Sequence, residues 1–286
     1  MSRQLGLSTF VLASPFGDGD GAQFDRVAAF GYDLIEVCIE DPGLVTAEGL
    51  ARHAERTGLA IGICGAFGPQ RDVSSSDPEL SRAGVAYLEQ CIDLAAAVGS
   101  PHVAGPMYAP TGQTRMLTPD ERTAQRKRAA SGLRAAADYA AERGVALAIE
   151  PLNRFETDLI NTTEQALELV ELIGADNVGL LIDTFHMNIE EKNIGDAVRL
   201  AGPKVFHVQV SENDRGTPGS GHIAWEEFFA SLDDIDYQGQ IVVESFLPTV
   251  VEIARAVSLW RPVAESMDAL AEDALSFLRR SLGVTA

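Results

Sequence analysis

Short apolar runs that each end in a polar cluster recur along the chain. The clearest of them lie in its second half, at 148–154, 180–188, 206–216 and 241–246. Each is rich in aliphatic or β-branched residues, which is typical of a strand buried in a parallel sheet. We therefore predict that four successive strands carry their last, polar residues to one edge of a sheet.

Strand-like and helix-like segments alternate from one end of the chain to the other. Asp77 followed by proline marks one helix start, the capping-box sequence 118–121 marks another, and a further helix is expected to begin at Asn161. The count is eight strands and eight helical segments in 286 residues, with no break in composition. This rhythm predicts the α/β class and a single (β/α)₈ TIM barrel domain over residues 1–286. A doubly wound open sheet is the alternative, but the glycine-rich GxGxxG motif of dinucleotide-binding sheets is absent after the first strand.

The net charge of the chain limits the classes of molecule that it can bind. It carries 42 acidic and 22 basic residues, for a net charge of −20. Such a field repels nucleic acid, anionic membranes and phosphorylated substrates, so a neutral sugar or polyol is the expected ligand.

No apolar run approaches the ~20 residues that span a bilayer, and no leader-like segment precedes Leu5, so we expect a cytoplasmic protein. The scattered Cys38, Cys64 and Cys91 are expected to be reduced core thiols.

The polar strand ends indicate a metal site. In a barrel, functional groups come from the carboxyl-terminal ends of several strands, so Glu150, Asp183, Gln209 and Glu244 should meet at one rim. Three carboxylates on a floor of low dielectric would repel one another strongly unless positive charge lay among them. A divalent cation would supply that charge.

Several motifs resemble one enzyme family. These are EPLNRFE at 150–156, DTFHMNIEE at 183–191, SENDRGTPGSGHI at 211–223 and VVESF at 242–246. They are similar to the xylose-isomerase-like barrel superfamily and, more narrowly, to the ketose 3-epimerases of D-tagatose, D-allulose and L-ribulose. The likeness spans nearly the whole chain.

The resemblance implies a role for each matching residue. Glu150 and Glu244 would be both metal ligands and catalytic groups on opposite sides of a sugar carbon, one removing its proton and the other returning one to the opposite face. The metal would stabilise the enediolate between the two steps. Asp183 would be a further ligand, with the capping of a helix that begins at Thr184 as the alternative.

The same resemblance suggests residues that contact the substrate. His186 is expected to bind the sugar from the loop that follows Asp183, and Arg215 and Glu156 to contact its hydroxyl groups or its reacting region. Glu36 is read as the end of the second strand, facing the rim either as a substrate contact or as a partner of the catalytic groups. Trp260 and Phe246 could supply an apolar wall for one face of a sugar, with core packing as the alternative for each.

Position 209 departs from the family pattern. The family has an H-x-H segment whose second histidine binds the metal, whereas this chain has histidine at 207 and glutamine at 209. Both side chains should point into the barrel, with His207 ~6–7 Å deeper and therefore too far to replace the missing ligand. The amide oxygen of Gln209 can still bind a cation. Three carboxylates with one amide oxygen favour Mn²⁺, with Mg²⁺ or Co²⁺ as alternatives, and disfavour zinc.

The expected function is metal-dependent epimerisation or isomerisation of a non-phosphorylated ketose by proton transfer at C3. The family further suggests a homodimer or homotetramer. A 3-keto-glycoside lyase or isomerase and an aldose–ketose isomerase could use the same site, and a binding-only barrel with a decayed metal site is a further alternative. An endonuclease-IV-like barrel needs several metal-binding histidines and a basic groove, and five histidines with a charge of −20 argue against it.

Overall fold

The computed structural model describes residues 3–283, apart from the side chain of residue 252, so both ends of the predicted domain lie outside the described residues. Each strand pairs in parallel with the next, and the eighth pairs with the first. The (β/α)₈ barrel predicted from the alternation is confirmed. The strands are β1 Leu5–Ser8, β2 Leu34–Ile39, β3 Ala60–Gly65, β4 His102–Gly105, β5 Ala146–Ile149, β6 Val178–Asp183, β7 Val205–Val210 and β8 Ile241–Val243.

The helices surround this barrel, and most follow a strand directly along the chain. Within residues 3–283, none is long and apolar enough to cross a bilayer. Their bounds are α1 Gly21–Phe30, α2 Ala47–Thr57, α3 Pro78–Val98, α4 Pro119–Ala141, α5 Thr163–Ile173, α6 Thr184–Glu190, α7 Ile194–Ala201, α8 Trp225–Asp234, α9 Val251–Ala256 and α10 Met267–Ser281.

The predicted helix starts are partly confirmed. Asp77 caps α3, and Thr118 with Glu121 forms the capping box of α4. The expectation that α5 begins at Asn161 was wrong, because Thr162 is the cap and accepts a hydrogen bond from the backbone N–H of Gln165. The amide of Asn161 instead donates to two backbone carbonyls upstream.

One helix entered the sequence analysis only as the alternative to a ligand role for Asp183. The α6 helix begins directly after β6, and Asp183, the last residue of the strand, caps it by accepting a hydrogen bond from the backbone N–H of Phe185. His186, which was expected in a loop, therefore lies in the first turn of a helix. Its position is fixed by the same residue that ends the strand.

The interior of the barrel forms an apolar floor beneath the rim. Ala148 and Leu181 lie two residues before Glu150 and Asp183, and since inward-facing residues alternate along a strand, they line the same face one step deeper. They pack with further small and apolar side chains: Phe10, Cys38, Cys64, Ala104 and Phe246. All three cysteines are free and buried, as predicted.

Gly105 allows the ends of three strands to approach one another. It ends β4 with a φ of 124°, and its carbonyl accepts a hydrogen bond from the backbone N–H of Glu150. A Cβ atom at this position would lie 2.8 Å from the carbonyl oxygen of Gly65 on the neighbouring strand. The backbone under Glu150 therefore requires a residue without a side chain.

Gly105→Ala is expected to lower the free energy of unfolding by about 3 kcal/mol, because it combines an unfavourable backbone conformation with a steric clash. Gly58→Ala is the matched control: Gly58 also has a positive φ, but no atom of the described residues would lie within 4 Å of a Cβ atom added there. That variant should lose only about 1 kcal/mol. Urea denaturation of both proteins measures the difference, and equal losses would contradict the role given to Gly105.

Candidate active site

Three buried carboxylates meet at the carboxyl-terminal rim of the barrel. Glu150 follows β5, Asp183 ends β6 and Glu244 follows β8, and none of them is more than 5% exposed. Such burial of like charges is unfavourable unless positive charge compensates it. The convergence follows from the strand ends, as the sequence pattern indicated.

Arg215 lies among these carboxylates. Its Nη1 atom donates to Asp183 Oδ2 at 2.8 Å and to Glu244 Oε2 at 3.1 Å. The guanidinium group also lies 3.9 Å from the centre of the Phe185 ring, and Arg215 has a φ of 67° in the loop that follows β7. Burial nevertheless raises the pKa of Glu244 well above its usual value, against the opposing effect of Arg215. A single guanidinium group carries one positive charge, which is fewer than the three acids would carry when ionised.

His186 reaches the same acids from α6. Its Nε2 atom lies 3.3 Å from Glu150 Oε1 and 3.9 Å from Asp183 Oδ2, while its Nδ1 atom accepts a hydrogen bond from the backbone N–H of Asn153. Burial and Arg215 lower the pKa of His186, but the hydrogen bond to Glu150 and the neighbouring acids outweigh them and raise it. Glu150, Asp183 and His186 each place one ligand atom within 4.8 Å of the others, so they form a buried group that could bind a metal ion.

Gln209 lies beside Asp183, in register with it on the neighbouring strand. Its Nε2 atom donates to Glu36 Oε1 at 2.7 Å, and its Oε1 atom is buried without a hydrogen-bond partner among the described residues. A buried amide oxygen that lacks a donor is suited to bind a hard cation. The converging group of Glu150, Asp183 and His186 does not include Glu244, so the predicted set of three carboxylates and this amide oxygen stays a prediction; such oxygen donors would suit Mn²⁺ or Mg²⁺.

Glu36 is not where the sequence pattern placed it. It is the third residue of β2, and since the strand continues to Ile39, it lies about 10 Å below the end of the strand. Its side chain is fully buried and contacts Gln209 and His207 inside the barrel. The interpretation of Glu36 as a strand-end residue at the rim was therefore wrong.

A cavity of about 360 Å³ lies over the acids. Glu156 borders it, with Oε1 accepting a hydrogen bond from the Asn153 side chain and lying 3.9 Å from Arg215 Nη2. Phe246 borders it and also packs in the barrel interior, whereas Trp260 is 74% exposed and does not line it. The polar lining consists largely of residues singled out from the sequence: Glu150, Glu156, His186, Arg215 and Glu244.

Two residues that support the site were not found from the sequence. Asn153 holds both His186 and Glu156 through its backbone and side-chain N–H groups. Glu212 organises the loop that carries Arg215. It accepts hydrogen bonds from the indole N–H of Trp225 and from the backbone N–H groups of Asn213, Gly219 and Ile223. The motif SENDRG signals a turn, but no local pattern shows that four donors, the farthest of them 13 residues along the chain, would converge on one carboxylate.

Comparisons with known proteins agree with this geometry. The family model described as xylose isomerase-like TIM barrel matches residues 24–281. A probable ketose 3-epimerase of Synechocystis is 34% identical over 97% of this chain and 96% of its own length. An L-ribulose 3-epimerase of Mesorhizobium japonicum is 36% identical, covering 96% of this chain and 93% of that protein. A crystal structure of D-allulose 3-epimerase from Methylomonas in complex with D-allulose has a TM-score of 0.92 at 28% identity, over 98% of this chain and 97% of the other.

Glu212→Gln is expected to destabilise the protein by about 1–3 kcal/mol at neutral pH, because an amide cannot accept all four hydrogen bonds. Burial raises the pKa of Glu212, but the donors that surround it outweigh burial and hold that pKa below its usual value. Since the folded-state pKa is depressed, the stabilisation is fully present above the ordinary glutamate pKa of about 4.3 and is lost as the pH falls through the folded-state value.

The difference in free energy of unfolding between wild type and variant should therefore shrink on acidification. Urea denaturation over a series of pH values measures it. Glu226→Gln, which changes an exposed acid on the adjacent helix, is the control and should show little difference at any pH. A difference for Glu212→Gln that does not change with pH would contradict this account.

Proposed function

Since the chain belongs to the xylose isomerase-like TIM barrel family and is a carbohydrate epimerase or isomerase, we propose that it is a metal-dependent 3-epimerase of a non-phosphorylated ketose. The observation that carries the proposal is the placement of Glu150 and Glu244 at one cavity. They follow β5 and β8, which lie three strands apart in a closed ring of eight, so they approach a bound molecule from different sides.

Two carboxylates on different sides of a carbon atom suit the inversion of its configuration. One removes the proton from C3 of the ketose, and the other delivers a proton to the opposite face of the enediolate. Burial raises the pKa of both groups, and for Glu150 the hydrogen bond to His186 opposes this effect.

The residues that would hold the cation are Glu150, Asp183 and Glu244, together with Gln209 through its Oε1 atom. Mn²⁺ is the expected ion, with Mg²⁺ and Co²⁺ as alternatives, because all four donors are oxygen atoms. When bound, such an ion supplies positive charge that stabilises the negative charge developing on the oxygen atoms of the substrate. It also offsets the mutual repulsion of the acids.

The remaining polar residues of the cavity would orient the sugar. His186, Arg215 and Glu156 border the same space and can donate to or accept from its hydroxyl groups. The relatives named for L-ribulose and D-allulose support a neutral ketose, and the acidic character of the site disfavours a phosphate group. A single domain, assembly as a homodimer or homotetramer and a cytoplasmic location stay predictions.

Substitution of either proposed acid–base residue tests the chemistry. Glu150→Gln and Glu244→Gln should each lower kcat by about 10²–10⁴-fold, since neither amide can transfer a proton. Incubation of D-allulose, L-ribulose and D-tagatose in D₂O, followed by NMR, should show deuterium at C3 of the sugar recovered from the wild type. Glu171→Gln, an exposed acid on α5, serves as control. Release of an aglycone from a 3-keto-glycoside, without turnover of any ketose, would contradict the proposal and favour the lyase.

The metal requirement is tested separately. Removal of bound ions with a chelator should abolish epimerisation, and Mn²⁺ should restore it best. Gln209→His should tighten Mn²⁺ binding about tenfold, because imidazole is a stronger ligand than a neutral amide. Isothermal titration of the stripped proteins measures both affinities. Full activity after removal of all ions would exclude the metal-dependent mechanism, and equal affinities would exclude the role given to position 209.

A further inference from the structure

A hydrogen bond crosses the interior of the barrel beneath the candidate active site. It joins Gln209 on β7 to Glu36 on β2, and these strands are separated by β8 and β1 in the closed ring. Both side chains are completely buried. A contact of 2.7 Å between a carboxylate and an amide across the barrel is therefore a built feature of the core, sheltered from water.

This hydrogen bond decides which way the amide of Gln209 faces. An ionised carboxylate only accepts hydrogen bonds, so it selects the NH₂ end of the amide. Because the amide group is planar, its oxygen must then face away from Glu36. That oxygen has no hydrogen-bond partner within the part of the chain that the structure describes, although it is buried. An acceptor held in this way is completed by a cation or by a donor from a bound ligand.

Glu36 is itself held in place. Its second carboxylate oxygen lies 2.6 Å from Nε2 of His207, which precedes Gln209 by two residues and therefore points into the barrel from the same strand. The ring of His102 packs against that of His207, with 4.6 Å between their centres. The carboxylate therefore lies between two inward-facing side chains of β7: it accepts a hydrogen bond from Gln209 and approaches His207 without a hydrogen bond of regular geometry.

We infer that Glu36 is a positioning residue that fixes the amide of Gln209 so that Oε1, and not Nε2, is presented to the cation. The inference rests on the proposed function, because it needs a cation bound beside Asp183. It explains how a glutamine can act as a metal ligand at position 209. An amide offers one useful ligand atom and one that repels a cation, and the two differ only by a flip of the group. The carboxylate of Glu36 selects one of these two orientations of the Gln209 amide.

Glu36→Gln tests the inference with a side chain of the same shape. The new amide both donates and accepts, so it no longer selects one orientation of Gln209. We expect Mn²⁺ to bind the chelator-stripped variant about tenfold more weakly than the wild type, as found for partners of metal ligands generally. The electron paramagnetic resonance signal of free Mn²⁺ measures binding directly, without any assay of activity. Asp72→Asn, which removes another buried carboxylate, is the matched control and should bind Mn²⁺ as the wild type does.

An exchange of the two residues provides the rescue. In the double variant Glu36→Gln/Gln209→Glu, the new amide at position 36 donates a hydrogen bond to the new carboxylate at position 209. That carboxylate offers an oxygen atom to the cation in either orientation. Mn²⁺ affinity should return at least to the wild-type value. Gln209→Glu alone measures the effect of the added charge. The positioning role predicts that Glu36→Gln weakens Mn²⁺ binding in the wild-type background but not in the Gln209→Glu background, whereas a merely structural role predicts an equal loss in both. Thermal unfolding of the stripped proteins reports any general loss of stability.

The outcomes separate this inference from the proposed function. If the wild type binds no Mn²⁺ and needs none for turnover, the proposed metal-dependent function fails. If the wild type binds Mn²⁺ and Glu36→Gln binds it equally well, the positioning role of Glu36 is overturned while the proposed function stands. Weak binding by Glu36→Gln that the exchange does not restore also overturns the positioning role.

Discussion

The burial of three like charges on an apolar floor is the constraint on which the rest of the site depends. Glu150, Asp183 and Glu244 stand where strands end, over side chains that cannot solvate them. Electrostatic repulsion at such short range in a medium of low dielectric is strong, so every surrounding element contributes something that offsets it. Arg215 donates to Asp183 and Glu244, and the neighbouring ring of His186 lies against Glu150. The remaining negative charge is what makes the rim suited to a divalent ion.

Two residues outside the cavity hold His186 and Arg215 in place beside the acids. Asn153 fixes His186, and Glu212 fixes the loop that brings Arg215 over the acids. Each support uses hydrogen bonds to backbone groups, which are set by the course of the chain and do not reorient easily. The side chains that would contact a sugar are therefore held by residues that are themselves fixed by the backbone. A catalytic site with well-aligned proton transfers requires such an arrangement.

Much of this could be predicted from local patterns, and the rest could not for physical reasons. The strands and the carboxylates at their ends follow from short apolar runs, because strand direction alone brings Glu150 and Asp183 to one rim. The α6 helix was considered only as the alternative to metal binding by Asp183, because periodicity does not reveal that one residue both ends a strand and caps a helix. Glu36 was misplaced because the end of β2 depends on pairing with β3, a contact between distant parts of the chain. The partners of Glu212 are equally non-local.

The double use of Asp183 also limits how this scaffold can diversify. One of its oxygens caps α6 and the other binds Arg215, so only another capping residue such as Asn could replace it without disturbing α6, and that change would still weaken the contact with Arg215. A change of substrate specificity must then arise in another part of the cavity wall, formed by the segment after β3 and by α9. Within the described part of the chain, the side chains of this wall border the cavity but do not hold any of the acids in place. One half of the pocket is thereby constrained by its architecture, and the other half is open to evolutionary change.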